Sequence, residues 1–217
     1  MSKDERTLYF PKASLDRLKI YRRLLTETDS EYISSEDIAN KLGINPELVR
    51  KDLSYINYKG KPKVGYHVQS LLDELNELFG LKKTTNVIIV GAGHLGRALA
   101  NFKGFSKYGI KIVGIFDNDP QKINQFVGEL VVLPLDYINR VVRRFNVEIG
   151  TICVPEEAAQ KIADLLVQNG IKAIWNFAPV KLEVSEDIIV VDEDISQSLL
   201  TIKHLLERKQ LEKAGEK

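Results

Sequence analysis

The stretch Asn86-Val87-Ile88-Ile89-Val90-Gly91-Ala92-Gly93-His94-Leu95-Gly96-Arg97-Ala98-Leu99 decides how this chain is read. An apolar, β-branched run leads into Gly91-x-Gly93-x-x-Gly96, and a helix-forming segment follows. That is the strand–turn–helix order a dinucleotide-binding fingerprint requires. Gly91 suits the tight turn. Gly93 has no Cβ, so a pyrophosphate can come close to the backbone. Gly96 lets the new helix pack against the strand. Ala92, His94 and Leu95 complete the loop and the helix start, whose free N–H groups face an anion with the positive end of the dipole. A glycine-rich turn in any α/β protein can share this spacing, so the loop alone does not decide. Lys111-Ile112-Val113-Gly114-Ile115-Phe116-Asp117 adds a second buried strand, ending in an acid. Asp117 stands about twenty residues past the glycines, where such a site places the carboxylate for the ribose 2′-OH. A carboxylate there repels a 2′-phosphate, so the cofactor expected is NAD(H) rather than NADP(H).

The chain has 217 residues, enough for one large domain or two small ones. Its 31 Lys and Arg nearly balance 30 Asp and Glu, so any nucleic-acid-binding surface must be local. The single cysteine, Cys153, excludes an internal disulfide and reads as a small core residue in the apolar run 149–154. No Cys/His cluster has metal-ligand spacing, so no metal is expected. The start is polar, without a signal-peptide core, and no apolar run approaches a membrane span. A cytoplasmic location follows as the expectation.

Before the nucleotide loop, residues 12–27 place Leu15, Leu18, Tyr21, Leu24 and Leu25 at helical spacing. Ser34 can cap a second helix through Leu42, with acids in its first turn, and Gly43 stops it. Asn45 and Pro46 open a third helix, predicted to run through Leu48, Val49, Leu53 and Ile56. Helix, turn and helix in this order predict a helix-turn-helix, whose second helix enters the major groove. Its outward face offers Arg50, Lys51 and Ser54, with Glu47. Arginine can read guanine with two bonds; lysine and serine serve base or phosphate. Residues 58–68 then read as a hairpin wing. Lys59, Lys61 and Lys63 sit at its polar tip, Val64, Tyr66 and Val68 alternate as in a strand, and His67 reads as a surface residue. Residues 41–67 hold six cationic side chains against Glu47 and Asp52, a local excess in a balanced chain. A solvated charged face on a protein-interaction domain is the competing reading.

Residues 69–83 read as an amphipathic connector, with the domain boundary at Lys82-Lys83-Thr84-Thr85. Beyond Asp117, Asn118-Asp119-Pro120 is expected to open a turn and short helix. Strand and helix then alternate to Phe177, which predicts a mostly parallel sheet. Ligands in such sheets sit at the carboxyl ends of strands, where Gly91, Asp117, Pro155 and Phe177 all fall. Trp175 is expected in the core, and Phe177 as a nicotinamide wall. After a last strand at 188–191, Asp194 can cap a helix carrying Ile195, Leu199, Ile202, Leu205 and Leu206 on one face. That face must cover either its own domain or a second subunit.

Both halves together resemble the Rex family of bacterial redox-sensing transcriptional repressors. The strings that carry the resemblance are Ser34-Ser35-Glu36, Val49-Arg50-Lys51-Asp52-Leu53-Ser54-Tyr55, Val64-Gly65-Tyr66, Val90 to Gly96, Phe116-Asp117-Asn118-Asp119-Pro120 and Asn176-Phe177-Ala178-Pro179-Val180. The resemblance implies an α/β chain in three parts. Residues 1–83 would form a winged helix-turn-helix domain, 84–193 a Rossmann-like parallel-sheet domain, and 194–217 a C-terminal helix swapped between the subunits of a homodimer. It implies binding to palindromic double-stranded operator DNA and release when NADH rises relative to NAD⁺. It adds Ser35 and Tyr55 to the DNA-binding set, and Asp194 to the nicotinamide end, with Arg23 as its switch partner in one state. Two departures stand out. Phe102 occupies a position where members commonly carry tyrosine, so it cannot hydrogen-bond to Asp194. Pro62-Lys63 replaces the usual Arg-Gly in the wing, leaving lysines to supply the charge.

Two other readings remain open at this level. A NAD-dependent dehydrogenase would need a substrate domain and a proton donor, but His67, His94 and His204 fall in the wing, the glycine loop and the tail. A nucleotide-gated protein-interaction module would lack affinity for DNA in every ligand state.

Overall fold

The computed structural model describes residues 10–56 and 58–215, with side chains to 211. They fall into two compact units, residues 1–83 and 84–217.

In the first unit, α1 (Lys12–Thr26) carries a buried stripe of Leu18, Tyr21 and Leu25. The short strand β1 (Tyr32–Ile33) follows, then α2 (Ser35–Leu42). Ser34 and Asp37 cap α2 reciprocally: Ser34 Oγ accepts the Asp37 N–H at 3.0 Å, and the Asp37 carboxylate accepts the Ser34 N–H at 2.9 Å. Gly43 ends the helix in the left-handed region at φ 66°, which glycine adopts without Cβ strain. Asn45 caps α3 (Pro46–Leu53) through the Glu47 N–H. The helix ends at Leu53, short of the expectation, and Ile56 reaches the core from the turn beyond it.

The wing also differs from the expected hairpin. Its tip is a turn closed by Lys61 and Gly65, and only Tyr66–His67 (β2) is extended, pairing antiparallel with β1. Val68 does not continue the strand but opens α4 (Val68–Leu78), because His67 Nδ1 accepts the Ser70 N–H and caps the helix. Pro62 has no N–H for a ladder, and Lys63 and Gly65 adopt positive φ, so the alternating pattern cannot remain extended. A Cβ on Gly65 would lie 2.5 Å from the Ile33 carbonyl oxygen, which fixes glycine at this crossing.

The second unit is a seven-stranded sheet in the order β5-β6-β4-β3-β7-β8-β9. Its strands are β3 (Thr85–Val90), β4 (Ile110–Asp117), β5 (Phe126–Val127), β6 (Leu130–Pro134), β7 (Ile149–Ile152), β8 (Ala173–Asn176) and β9 (Ile189–Asp192). All pairings are parallel except β5 with β6. The chain builds outward from β3 in one direction through β4, then returns to β7 on the other side. The carboxyl ends of β3 and β7 therefore flank a switch point, where open α/β sheets bind ligands.

One sheet face is covered by α6 (Ile138–Phe145), α7 (Glu156–Gln168) and the segment around Leu182. The other face has α5 (His94–Ala100) over Ile89 and Ile115. Register places Trp175 beside Thr151 and Val191 on that second face, away from Ile174 and the helix-covered core. Trp175 is consequently half-buried, which corrects its expected place in the core. Ile189 and Val191 on the same face are 65% and 46% exposed.

Two further differences have local causes. Residues 120–124 form a single turn rather than a helix: the Asp119 carbonyl accepts the Ile123 N–H, but Asn124 leaves the helical region at φ 66° and its N–H donates to the Val132 carbonyl instead. The helix α8 (Gln197–Gly215) starts three residues past Asp194, whose Oδ1 accepts the Ser196 N–H at 2.8 Å in a turn of its own. The apolar side chains of α8, Leu199, Leu200, Ile202, Leu205, Leu206 and Leu211, are all exposed. No described helix is long and apolar enough to cross a membrane.

Candidate functional site

At the carboxyl end of β3, Gly91 turns the chain at φ 106° while its N–H donates to the Phe116 carbonyl at 2.8 Å. A Cβ on Gly91 would strike the Cys153 carbonyl, and one on Gly96 would strike the Gly91 carbonyl. A Cβ on Gly93 would meet no protein atom within 4 Å. The first and third glycines thus serve the protein's own packing, whereas the second keeps space open beside the loop. Ala92 is buried behind the loop, and His94 and Leu95 begin α5.

Asp117 closes β4 with only 6% exposure. Its Oδ2 accepts the Ala92 N–H at 2.7 Å and Lys122 Nζ at 3.1 Å, and Oδ1 accepts the Asp119 N–H at 2.9 Å. Burial pushes this carboxyl up, but the Asp119 and Ala92 N–H groups and Lys122 outweigh it and hold it below the usual range. The acid therefore pins the glycine loop to the carboxyl end of β4. Arg97 supports the same loop, with Nε donating to the Ala92 carbonyl at 2.9 Å and Nη2 to Gln125 at 2.6 Å. Neither Lys122 nor Arg97 was expected from the motif. Their only sequence signal is a cation within a few residues of Asp117 and of the last glycine.

Pro155 directly precedes α7 and Phe177 directly follows β8, so both lie at the same carboxyl edge as Gly91 and Asp117. Phe177 ends a row of aromatic rings. Phe102 and Phe105 lie 4.9 Å apart, Phe105 and Trp175 6.1 Å, and Trp175 and Phe177 4.5 Å, measured between centroids. The Trp175 indole N–H donates to Glu193 at 3.1 Å. Asn176 is fully buried and explains its string: Oδ1 accepts the Ala178 N–H, while Nδ2 donates to the Val180 carbonyl and to Asp192. Asn176 and Trp175 thereby hold residues 192–193, next to exposed Asp194. Hydrogen bonds from the Ser196 hydroxyl and N–H hold the Asp194 carboxyl below its usual range. Cys153 is half-buried, and burial pushes its thiol up to about 12. It is a packing residue.

In the first unit, Lys51 and Ser54 are exposed on α3 and just beyond it. Tyr55 is 38% exposed and packs its ring on Phe10. Arg50 is held from below: Nη1 donates to Ser35 Oγ at 3.0 Å and to Glu36 Oε1 at 2.8 Å. Ser35 was expected to face DNA, but it is buried at the first turn of α2, and its hydroxyl supports Arg50 instead. Lys59 and Lys63 are exposed on the wing, and Lys61 donates to the Tyr32 hydroxyl at 3.2 Å. Arg23 pairs with Glu27 along α1. Among the described residues no group of three or more His, Cys, Asp or Glu side chains is placed to hold a metal.

Comparison with known proteins agrees with both halves. Residues 10–54 match a family model described as a putative DNA-binding protein N-terminus, and residues 82–180 match one described as a CoA binding domain. The chain is 51% identical over 201 residues to redox-sensing transcriptional repressor Rex 2 of Thermotoga maritima, covering 93% of this chain and 98% of that one. It is 43% identical to the Rex repressor of Desulforamulus reducens, covering 89% and 94%. A crystal structure of RSP in complex with β-NAD⁺ and operator DNA superposes with a TM-score of 0.87 at 36% identity, covering 96% of this chain and 97% of that one. RSP in complex with β-NADH gives 0.85 at 38% identity, covering 94% and 98%. The relatives bear the names of repressors, not of enzymes, and the chain belongs to the Rex family of redox-sensing transcriptional repressors.

Proposed function

We propose that this chain binds operator DNA as a homodimer, binds NAD(H) at the carboxyl edge of its sheet, and releases the operator when NADH rises relative to NAD⁺. The observation that carries this reading is its likeness to RSP, whose structures hold β-NAD⁺ with operator DNA in one case and β-NADH in the other. The residues present fit the cofactor. The space beside Gly93 admits a pyrophosphate, Asp117 presents a charged acceptor for ribose, and Phe177 offers an aromatic wall. The bound group would supply a ring that gains or loses one positive charge, and Asp194 would be the carboxylate that senses the difference.

Arg50, Lys51, Ser54 and Tyr55 would meet the major groove, and Lys59, Lys61 and Lys63 the backbone beside it. The exposed face of α8 and the exposed side chains Ile189 and Val191 need cover in water. A second copy laying its α8 across this sheet face covers both, and makes a swapped, self-complementary dimer. Two recognition helices then read a palindrome, and Arg23 and Asp194 act as the switch pair in one of the two states. Such a chain works in the cytoplasm, where the operator is. Fluorescence anisotropy on a palindromic duplex, with NADH titrated against fixed NAD⁺, tests the reading. Affinity should fall as NADH rises; equal affinity under both nucleotides overturns it.

A further inference from the structure

Arg50 is held in a defined pose beside the groove between the start of α2 and the wing. Its two contacts, to Ser35 Oγ and Glu36 Oε1, use both hydrogens of Nη1. Nε and Nη2 have no protein partner among the described residues. That free edge of the guanidinium is a two-point donor, the shape that fits guanine O6 and N7. The support is itself anchored, because the Ser35 hydroxyl donates to Glu36 Oε2 at 3.2 Å and Ser35 is 7% exposed.

We propose that Glu36 is a specificity-determining positioning residue that aims Arg50 at a base edge and away from phosphates. The inference rests on the reading of Arg50 as a base contact. Two effects act together. The Glu36 carboxylate restricts a side chain that otherwise samples many rotamers, so the donor edge is set before DNA arrives. It also cancels the charge of Arg50 as seen by the DNA backbone, without occupying the edge that reads a base. Sequence-independent affinity follows the number of free cations, so Glu36 lowers binding to random DNA more than binding to the operator.

The test uses the full chain and two duplexes of equal length. One is the duplex that the unaltered chain selects from a randomised palindromic library; the other is random. Glu36→Gln should raise affinity for the random duplex and steepen its salt dependence by about one unit of slope. The ratio of selected to random affinity should fall about fivefold or more, the low end of what one two-point base contact supplies. In an Arg50→Ala background, Glu36→Gln should leave that ratio unchanged. The thermal midpoint should not move, since the pair is half exposed at 48% and 59%. An equal gain on both duplexes, or the same change with and without Arg50, overturns the inference. If Arg50→Ala lowers the ratio and Glu36→Gln does not, the inference alone fails. If Arg50→Ala leaves the ratio intact, the base-contact reading fails too.

Discussion

Asp52 lies on α3 beside outward-facing Lys51, yet its own carboxylate is fully buried. Arg17 grips it with Nε at 2.6 Å and Nη2 at 2.7 Å, and the Tyr21 hydroxyl donates at 2.8 Å. The recognition helix is thus bolted to α1 by one residue. Burial pushes the Asp52 carboxyl up, but the hydrogen bonds from Arg17, Tyr21 and Ser14 outweigh it, and its pKa is lowered. A lowered carboxyl stabilises the fold above its unfolded value, about 3.9, and that stability is lost as pH falls through the folded value. Asp52→Ala should cost about 3–5 kcal/mol, because it leaves Arg17 without its partner at a buried site. Urea unfolding followed from pH 7 to 3 should also show a shallower acid decline in Asp52→Asn than in the unaltered chain. An identical decline would remove Asp52 from the acid response. The glycine loop permits a sharper residue-scale contrast. Gly96→Ala drives a Cβ into the Gly91 carbonyl, whereas Gly93→Ala meets no protein atom. The first should lower stability by about 1–3 kcal/mol. The second should leave the thermal midpoint in place while weakening NADH binding, read by NADH fluorescence. Unchanged NADH affinity in Gly93→Ala would show that no ligand approaches there.

Among the elements, α8 departs furthest from what a single chain can satisfy. Its apolar side chains from Leu199 to Leu211 remain exposed, beside a sheet whose Ile189 and Val191 are also exposed. If these surfaces cover one another between two copies, Leu199→Lys with Leu206→Lys should yield a monomer in sedimentation velocity, with helix content by circular dichroism retained. A dimer of unaltered stability would place the interface elsewhere. This element also shows where sequence reasoning ends. The capping residues Ser34, Asp37 and Asn45 and the stop at Gly43 were legible because helix ends are settled locally. The strands 85–90 and 110–117 were legible because a strand buried on both faces needs a continuous apolar run. Val68 was not, because its alternation with Tyr66 outlasts the strand and His67, a weak capping signal, ends it. Trp175 reads as core because it is an apolar residue on an inner strand, yet it is half-buried. Only the distribution of helices between the two faces shows that nothing covers it fully. Asp117 was located from spacing, but its bond to the Ala92 N–H was not, since a motif gives a position and not the partners a folded loop brings to it.

At the scale of the whole molecule, the nucleotide edge and the basic helix-turn-helix belong to separate compact units. Any control of one by the other must pass through a difference in free energy between two arrangements of the protein. On the proposed reading the glycine loop would hold the pyrophosphate, which both redox forms share, and so would supply affinity without discrimination. Discrimination would then arise at the nicotinamide end, for which the proposed residues are Phe177 and Asp194, next to residues 192–193 that Asn176 and Trp175 hold in place. Phe102 carries no hydroxyl and packs its ring edge-on against Phe105. Coupling of this kind is reciprocal: if NADH weakens operator binding by some factor, the operator must weaken NADH binding by the same factor. A coupling of about 1–3 kcal/mol corresponds to roughly 5–150-fold. NADH should therefore bind more weakly, within that range, in the presence of saturating operator than with a random duplex below its dissociation constant. Asp194→Asn should shrink the factor measured in both directions, because it removes the carboxylate proposed to sense the nicotinamide charge while leaving the glycine loop intact. Should Asp194→Asn lower NADH affinity with the coupling factor preserved, the carboxylate would be a binding residue only, and the charge sensor would lie elsewhere along the same edge.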